Sequence, residues 1–430
     1  MKISVCGLWH LGSVSSACMA SLNLKILGYD PNKKVIDNLN RGIAPISEPG
    51  LDKLIKQQID NNKLRYTYNL NDLRNSDLLW VCFDTPVDEN DNADTDYVLN
   101  QIKSYLPFMS KNSIVLVSSQ LPLGTIRILE CFSKKNIKNK INFAYSPENL
   151  RLGNAINIFL NPDRIIVGVR SDDVKRKLHN LLKKITKDIF FMRVESAEMT
   201  KHAINSFLAN SIAFSNEIAV ICESYGANAK EVEIGLKSES RIGYKSYLSP
   251  GGAFAGGTLA RDINFLIDLS NKADKKSLLL NAIKKSNNCH KLWYRFKILE
   301  KFKTLNNKKF LILGLAYKTG TDTLRRSESI SLAKWLIKNK SKVYAHDNLV
   351  RKIPASLEIK FLENIQQIVI KDYDAVILFN NDKSYIELLK NSLKYSQDKQ
   401  SKQIIFDQNG FAHKEINSFL INYVTVGLSK

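Results

Sequence analysis

The residues with the clearest chemical signature follow the first short apolar run of the chain. The segment Gly7-Leu-Trp-His-Leu-Gly12 comes directly after residues 2–6, where a dinucleotide-binding turn carries its glycines. Gly7 permits a tight turn, and Gly12 lets the next helix pack closely so that its N-terminus faces a pyrophosphate. Trp9 interrupts the usual glycine pattern, and its side chain must point away from the phosphates. We predict that these residues line a dinucleotide site.

Asp30 supports this prediction from the end of the second apolar run, residues 24–29. An acidic residue at this place binds the ribose 2′-hydroxyl of NAD and repels the 2′-phosphate of NADP. The sequence therefore favours NAD as the cofactor.

The cysteines predict neither a metal site nor a disulfide framework. They form no Cys-x-x-Cys pair, and most lie in apolar runs, as reduced thiols of a cytoplasmic protein do. The six are Cys6, Cys18, Cys82, Cys131, Cys222 and Cys289. The N-terminus lacks the apolar stretch of a signal peptide, and no apolar run approaches the roughly 18 residues of a membrane helix. We expect a cytoplasmic protein without a membrane partner.

The composition is that of a globular chain with a strong positive charge. Its 430 residues include 63 Lys and Arg but only 42 Asp and Glu, for a net charge of +21. Such a charge suits nucleic acid, an anionic surface or a phosphorylated small molecule. Because the lysines are scattered through polar segments, without a basic arm or an aromatic-interleaved stripe, we interpret them as a solvated surface and expect no nucleic-acid partner.

Strand-like apolar runs recur in two parts of the chain. In the first part they alternate with helical or loop segments at residues 2–6, 24–29, 78–83, 113–118, 141–145 and 165–169. In the last part they lie at residues 310–313, 342–345, 375–379 and 403–406, with a helix over 330–338. This alternation is typical of doubly wound α/β domains.

Between these parts, Ala, Leu, Ile, Asn and Glu recur at helical spacing and β-branched runs are scarce. The fold class predicted is α/β, with two Rossmann-like doubly wound domains joined by an all-helical segment. The domain boundaries predicted are residues 1–195, 196–302 and 303–430.

Several segments together resemble the UDP-glucose/GDP-mannose dehydrogenase family, and the resemblance covers nearly the whole chain. Their order and spacing are far more specific than one glycine motif. The segments are Asn40-Arg-Gly-Ile-Ala-Pro-Ile-Ser-Glu-Pro-Gly-Leu51, Asp84-Thr-Pro86, Ser146-Pro-Glu-Asn-Leu-Arg151, Lys201 with Asn205, Arg241-Ile-Gly243, Phe254-Ala-Gly-Gly-Thr-Leu-Ala-Arg-Asp262 and Gly314-Leu-Ala-Tyr-Lys-Thr-Gly-Thr-Asp-Thr-Leu-Arg325.

The resemblance implies an N-terminal NAD domain, a helical dimer core and a C-terminal domain that binds a nucleotide sugar. It also implies cofactor contacts from Thr85, Pro86, Gln120 and Arg325. It implies nucleotide-sugar contacts from Arg241, Lys318 and the glycine-rich loop that contains Gly251, Gly252, Phe254 and Gly256.

Three positions depart from the family pattern. Thr258 replaces the nucleophilic cysteine that captures the aldehyde, and an unactivated hydroxyl is a much weaker nucleophile than a thiol. Gln120 stands at the catalytic threonine of the family, and Leu152 replaces the second glutamate. By the resemblance, all three changes affect residues that capture the aldehyde, hydrolyse the thioester or transfer protons in these two steps.

The residues that one hydride transfer needs are retained. Lys201 and Asn205 are spaced i, i+4 and project from one face of a helix. By the resemblance, Lys201 takes the alcohol proton directly or through a water held by Asp262, Asn205 orients the reacting oxygen, and Glu148 binds the sugar or relays a proton. His202 and His10 are expected to be structural.

These observations predict an NAD-dependent nucleotide-sugar dehydrogenase that performs one two-electron oxidation to an aldehydo- or keto-sugar. Two alternatives stay open. One is a four-electron oxidation to a uronic acid without a covalent intermediate, and the other is an inactive relative that only binds NAD and a nucleotide sugar. A homodimer or higher homo-oligomer is expected from the resemblance.

Overall fold

The computed structural model describes residues 1–74, 76–86, 88, 93–148, 150–255, 258–317, 322–324, 327–394, 403–416 and 422–428. The chain divides into two compact units, Met1–Ile204 and Asn205–Lys430. The predicted fold class is confirmed: each unit contains a parallel sheet, and helices occupy the segment between the two sheets.

The first unit is built on an eight-stranded sheet of order β3-β2-β1-β4-β5-β6-β7-β8. Neighbouring strands are parallel except for β6 and β7. The strands are β1 (Ile3–Cys6), β2 (Ile26–Tyr29), β3 (Leu64–Thr67), β4 (Leu78–Val81), β5 (Ile114–Val117), β6 (Asn142–Tyr145), β7 (Ile165–Gly168) and β8 (Ile189–Met192). The helices are α1 (His10–Ser21), α2 (Lys33–Leu39), α3 (Leu51–Asp60), α4 (Thr95–Tyr105), α5 (Thr125–Asn136), α6 (Ala155–Leu160) and α7 (Asp172–Leu182).

The central strands of this sheet are apolar because both of their faces are covered. Every residue of β1, β4 and β5 is buried, as expected for a parallel sheet between helical layers. The long helix α8 (Val194–Tyr225) begins after β8 and continues into the second unit.

The second unit contains four further helices and a six-stranded parallel sheet of order β11-β10-β9-β12-β13-β14. The four helices are α9 (Ala229–Ser238), α10 (Leu259–Lys272), α11 (Leu278–His290) and α12 (Trp293–Lys301). The strands are β9 (Lys309–Leu313), β10 (Lys342–His346), β11 (Lys360–Phe361), β12 (Ala375–Leu378), β13 (Ile404–Phe406) and β14 (Tyr423–Val424). Three helices accompany them, α13 (Glu328–Lys338), α14 (Lys383–Lys394) and α15 (His413–Ile416).

Each strand-like run identified in the sequence forms a strand, but in the part of the chain that the structure describes the sequence analysis missed four strands. These are β3, β8, β11 and β14, and all four lie at the edges of the two sheets. The apolar pattern of three of them is weak, because β3 includes the exposed Arg65 and β11 and β14 have two residues each. The fourth, β8, is the apolar run Ile-Phe-Phe-Met, which the sequence analysis overlooked.

Candidate active site

The turn between β1 and α1 has the geometry that a dinucleotide pyrophosphate requires. Gly7 has a φ of +84°, and a Cβ there would lie 2.7 Å from the backbone and ring of Phe83. A Cβ at Gly12 would lie 2.0 Å from the carbonyl oxygen of Gly7. Only glycine fits at both positions, so the N-terminus of α1 can approach the turn closely. Trp9, the residue before α1, is 48% exposed.

Asp30 stands directly after β2 and is bonded to this turn. Its Oδ2 accepts a hydrogen bond from the backbone N–H of Leu8 at 2.8 Å, and its Oδ1 accepts from Asn32 at 2.9 Å. Because a carboxylate has about four acceptor sites, these bonds fix Asp30 while leaving capacity for a ribose hydroxyl. The residues present therefore fit NAD.

Two predicted cofactor loops meet at the carboxyl ends of β4 and β5. The Thr85 hydroxyl, which is buried, donates to the main-chain oxygen of Gln120 at 2.6 Å. Pro86 follows Thr85 and is exposed. Ligands of open α/β sheets bind outside the carboxyl ends of the strands, and this contact places the two loops at that edge.

Lys201 and Glu148 are brought together in the first unit. The Lys201 Nζ donates to the main-chain oxygen of Glu148 at 2.7 Å, and the lysine is only 8% exposed. The Glu148 carboxylate accepts from the backbone N–H of Leu150. The side-chain nitrogen of Lys201 is thus held at the segment that follows β6. His202 is fully buried, and its Nε2 lies 3.1 Å from the main-chain oxygen of Leu121.

Two buried carboxylates that the sequence analysis did not identify support these loops. Glu48 accepts from His10 Nε2 at 3.0 Å and from the backbone N–H groups of Gly153 and Ala155 at 2.9 Å each. Burial opposes ionisation of Glu48, but these hydrogen bonds outweigh it and lower the pKa of the carboxyl. Its contact with His10 joins the start of α1 to the loop after Glu148.

Glu198 is the second of these carboxylates. It is 1% exposed and accepts from the backbone N–H groups of Gly124 at 2.9 Å and Ile126 at 3.0 Å. Burial raises the pKa of Glu198, although both amides donate to it. By capping α5, it anchors the end of the loop that contains Gln120.

In the second unit, Asn205 and Asp262 are hydrogen-bonded to each other. The Asn205 Nδ2 donates to Asp262 Oδ2, and Asp262 is fully buried. The bond fixes the amide of Asn205, whose Oδ1 remains a potential acceptor. It also joins α8 to the first turn of α10.

Thr258 is the N-cap residue of α10. Its side chain is exposed and makes no capping hydrogen bond to the helix. The Thr258 main-chain oxygen accepts from the N–H of Asp262 at 3.2 Å. The hydroxyl therefore stands at the positive end of a helix, close in the chain to Asp262.

A cavity of about 150 Å³ lies against the glycine loop of the second unit. Gly252 and Asn409 line it together with Lys291, Arg295 and Glu328. Burial raises the pKa of Glu328, whose carboxylate lies 3.9 Å from Lys291 Nζ. Lys291 and Arg295 lie in a helical region. Only their charge distinguishes them in the sequence, so the sequence analysis missed them.

Arg241 lies on the surface after α9, with an 86% exposed side chain that pairs with Glu239 at 3.1 Å. Its predicted substrate contact stays a prediction. Three other predicted site residues, Gly256, Lys318 and Arg325, lie outside the described residues. Among the described residues, no helix is long and apolar enough to span a membrane and no cluster of acidic, histidine and cysteine side chains could hold a metal ion.

The chain matches three family models in succession. They are the NAD binding domain of the UDP-glucose/GDP-mannose dehydrogenase family over residues 1–186, its central domain over 195–289 and its UDP binding domain over 311–414.

Curated relatives and solved structures are similar over the full length. A UDP-glucose 6-dehydrogenase of Rickettsia bellii is 31% identical over 99% of each chain. A UDP-glucose 6-dehydrogenase of Bacillus subtilis is 28% identical over 99% of this chain and 98% of its own. The fold is similar to that of a UDP-glucose dehydrogenase from Pyrobaculum islandicum, with a TM-score of 0.85, 23% identity, and coverage of 100% of this chain and 98% of that one.

Proposed function

Because this chain belongs to the UDP-glucose/GDP-mannose dehydrogenase family and is an NAD-dependent nucleotide-sugar dehydrogenase, we propose that it oxidises a UDP- or GDP-linked sugar by two electrons. The product is an aldehydo- or keto-sugar. The observation that carries this proposal is the hydroxyl of Thr258 at the N-cap of α10, a position where the family resemblance leads us to expect a cysteine.

The first unit supplies the residues that hold the cofactor. Gly7 and Gly12 admit the pyrophosphate to the N-terminus of α1, and Asp30 takes the adenosine ribose. Thr85 and Gln120 form the neighbouring edge of the cofactor site. NAD⁺ held by these residues would supply the acceptor for a hydride from the alcohol carbon.

Three side chains handle the proton and the oxygen of the alcohol. Lys201 takes the hydroxyl proton, or stabilises the developing negative charge as an ammonium. Asn205, whose amide is fixed by Asp262, orients the reacting oxygen through its remaining acceptor. Glu148 stands beside Lys201 and relays a proton or binds the sugar.

The reaction stops after one oxidation because the second requires an acceptor for the aldehyde. A thiol at this helix N-terminus would ionise readily and attack the carbonyl carbon. The threonine hydroxyl has a much higher pKa than a thiol, so it is a much weaker nucleophile at neutral pH. The aldehyde therefore leaves without forming an ester.

The cavity of the second unit supports a nucleotide-sugar substrate. Lys291 and Arg295 bring two positive charges to the wall that contains Gly252, and such cations stabilise a diphosphate. Arg241, Lys318 and Arg325 remain family-based proposals. A homodimer is supported by three apolar side chains exposed on α8: Phe207 (69%), Phe214 (45%) and Ile221 (55%).

The alternative, four-electron oxidation to a uronic acid, is favoured by the curated relatives that are called UDP-glucose 6-dehydrogenases. The two reactions differ in stoichiometry. Purified protein is incubated with NAD⁺ and a panel of UDP- and GDP-hexoses and their N-acetyl forms, and NADH formed per sugar consumed is measured with the product mass. One NADH and a loss of two mass units support the proposal. Two NADH and a gain of fourteen mass units contradict it.

A lysine pair provides the control for this assay. Lys201→Ala should abolish NADH formation, since the alcohol proton then has no acceptor at that place. Lys177→Ala removes a cation from the exposed face of α7 and should leave the rate unchanged. Equal loss in both variants would contradict the role of Lys201.

A further inference from the structure

The loop that contains Gly251 and Gly252 is held by side chains rather than by secondary structure. Asn216, on α8, bonds to both glycines. Its Oδ1 accepts from the N–H of Gly251 at 2.9 Å, and its Nδ2 donates to the main-chain oxygen of Gly252 at 3.3 Å. Asn216 is 2% exposed, so these bonds are shielded from water.

Two side chains of α11 hold the same loop from another direction. His290 Nε2 lies 2.7 Å from the main-chain oxygen of Gly251. Since a carbonyl oxygen only accepts, this nitrogen carries the hydrogen, and burial lowers the pKa of His290 so that the neutral ring is favoured. Asn287 makes two bonds with Phe254, accepting from its N–H and donating to its oxygen at 2.9 Å each.

The fourth contact comes from the sheet. Asn409, which follows β13, accepts from the N–H of Gly252 through its Oδ1 at 2.8 Å. A Cβ at Gly251 would lie 2.7 Å from that same oxygen, so glycine is needed for the approach. Asn409 belongs to the segment matched by the UDP binding domain, whereas Asn216 belongs to the central domain.

These contacts determine which backbone groups of the glycine loop are available to a ligand. The N–H groups of Gly251, Gly252 and Phe254 all point at asparagine oxygens, so they are not donors for a substrate phosphate. The loop instead forms a fixed wall of the cavity that Lys291 and Arg295 also line. A wall that is already ordered costs no conformational entropy when a ligand binds.

We infer that Asn216, His290 and Asn409 are positioning residues that preorganise the Gly251–Gly252 wall for a nucleotide diphosphate. Asn409 is the member that couples this wall to the six-stranded sheet. The inference rests on the proposed function for its ligand, a nucleoside diphosphate group, but it assigns no residue to the chemical step.

Asn409→Ala tests the coupling directly because Asn409 is partly exposed at a loop and its loss should leave the fold intact. We expect faster amide hydrogen exchange at residues 251–254 and about tenfold weaker binding of UDP by calorimetry. The KM for the nucleotide sugar should rise similarly, while kcat and the KM for NAD⁺ change by less than about twofold. Asn306→Ala, an exposed asparagine, is the matched control.

His290 provides a rescue experiment. His290→Ala should have the same effect on exchange and UDP binding, and His290→Gln should restore both, because the glutamine Nε2 can donate to the Gly251 oxygen. Failure of the glutamine to rescue, with equal losses in both variants, would indicate a packing role and overturn the assignment of His290.

The outcomes separate the inference from the proposed function. Unchanged loop exchange or unchanged nucleoside diphosphate affinity in Asn409→Ala overturns the inference, and so does wild-type protein that binds neither UDP nor GDP. If UDP binds and Asn409→Ala weakens it, but no nucleotide sugar yields NADH, the inference stands and the proposed oxidation fails.

Discussion

Asp30 and Asp347 stand at the same place in the two sheets, directly after the second strand of each, yet they are bonded differently. Asp347 accepts four backbone N–H groups, from Leu315 and Ala316 at one oxygen and from Leu349 and Val350 at the other. Asp30 accepts two. A carboxylate with four bonds is saturated, so Asp347 stabilises its turn whereas Asp30 can still bind a ribose.

Because Asp30 has hydrogen-bond acceptor capacity left for a ribose hydroxyl, we predict that it makes the enzyme prefer NAD⁺ over NADP⁺. Asp30→Asn removes the negative charge that repels a 2′-phosphate while keeping one acceptor for Leu8. We expect the ratio of kcat/KM for NAD⁺ to that for NADP⁺ to fall by about tenfold or more, measured by NADH or NADPH formation at fixed nucleotide sugar. Asp37→Asn, on the exposed face of α2, should leave the ratio unchanged. A ratio equally insensitive to Asp30→Asn would contradict this role.

The saturation of Asp347 predicts a pH-dependent contribution to stability. Burial opposes its ionisation, but the four N–H donors outweigh burial and lower the pKa of the carboxyl below its usual value. A lowered folded-state pKa stabilises the protein above the pKa of the unfolded chain, near 4, and this stabilisation is lost as pH falls through the folded-state pKa.

Asp347→Asn should therefore lower the free energy of unfolding by about 2–3 kcal/mol at pH 7, because the amide group cannot accept all four bonds. The difference from wild type should persist down to about pH 4 and shrink when urea unfolding is repeated at lower pH, through the lowered folded-state pKa. A difference that stays constant over this pH range would show that packing, rather than charge, determines the loss.

The sequence predicted the elements that local pattern determines. The dinucleotide turn was found because its glycines and Asp30 lie at characteristic positions after two apolar runs, and the central strands were found because they are buried on both faces. Edge strands such as β3 and β14 were missed, since a short strand with one neighbour needs few apolar residues.

The supporting side chains of the site were missed for a different reason. Asn409 reaches Gly252 across 157 positions in the chain, and Glu48 reaches Ala155 across 107. No local spacing identifies such pairs, because each depends on how distant segments pack. His10 was expected to be structural, but nothing in the sequence indicated Glu48 as its hydrogen-bond partner. A single buried acid or amide has no signature until its partner is known.

Two helical glycines offer a test of packing at the turn. A Cβ at Gly12 meets the Gly7 oxygen at 2.0 Å, whereas a Cβ at Gly235, in α9, meets no atom within 4 Å. Gly235→Ala should stabilise the protein by about 0.5–1 kcal/mol through helix propensity. Gly12→Ala should instead destabilise it and abolish the thermal stabilisation by NAD⁺. Thermal unfolding with and without NAD⁺ measures both, and a Gly12→Ala protein still stabilised by NAD⁺ would contradict the tight turn.

Thr258→Cys tests whether the hydroxyl limits the enzyme to one oxidation. At the N-terminus of α10 a thiol has a lowered pKa and can attack the aldehyde carbon, forming a C–S bond as the carbonyl oxygen takes a proton. A second hydride transfer to NAD⁺ would leave a thioester. Because Gln120 and Leu152 still replace the groups that the family uses, hydrolysis should be slow, so we expect more than one NADH per sugar and a covalent adduct by intact-protein mass spectrometry. Thr258→Ser should give one NADH and no adduct. The absence of an adduct in active Thr258→Cys protein would mean that other positions, and not Thr258, end the reaction.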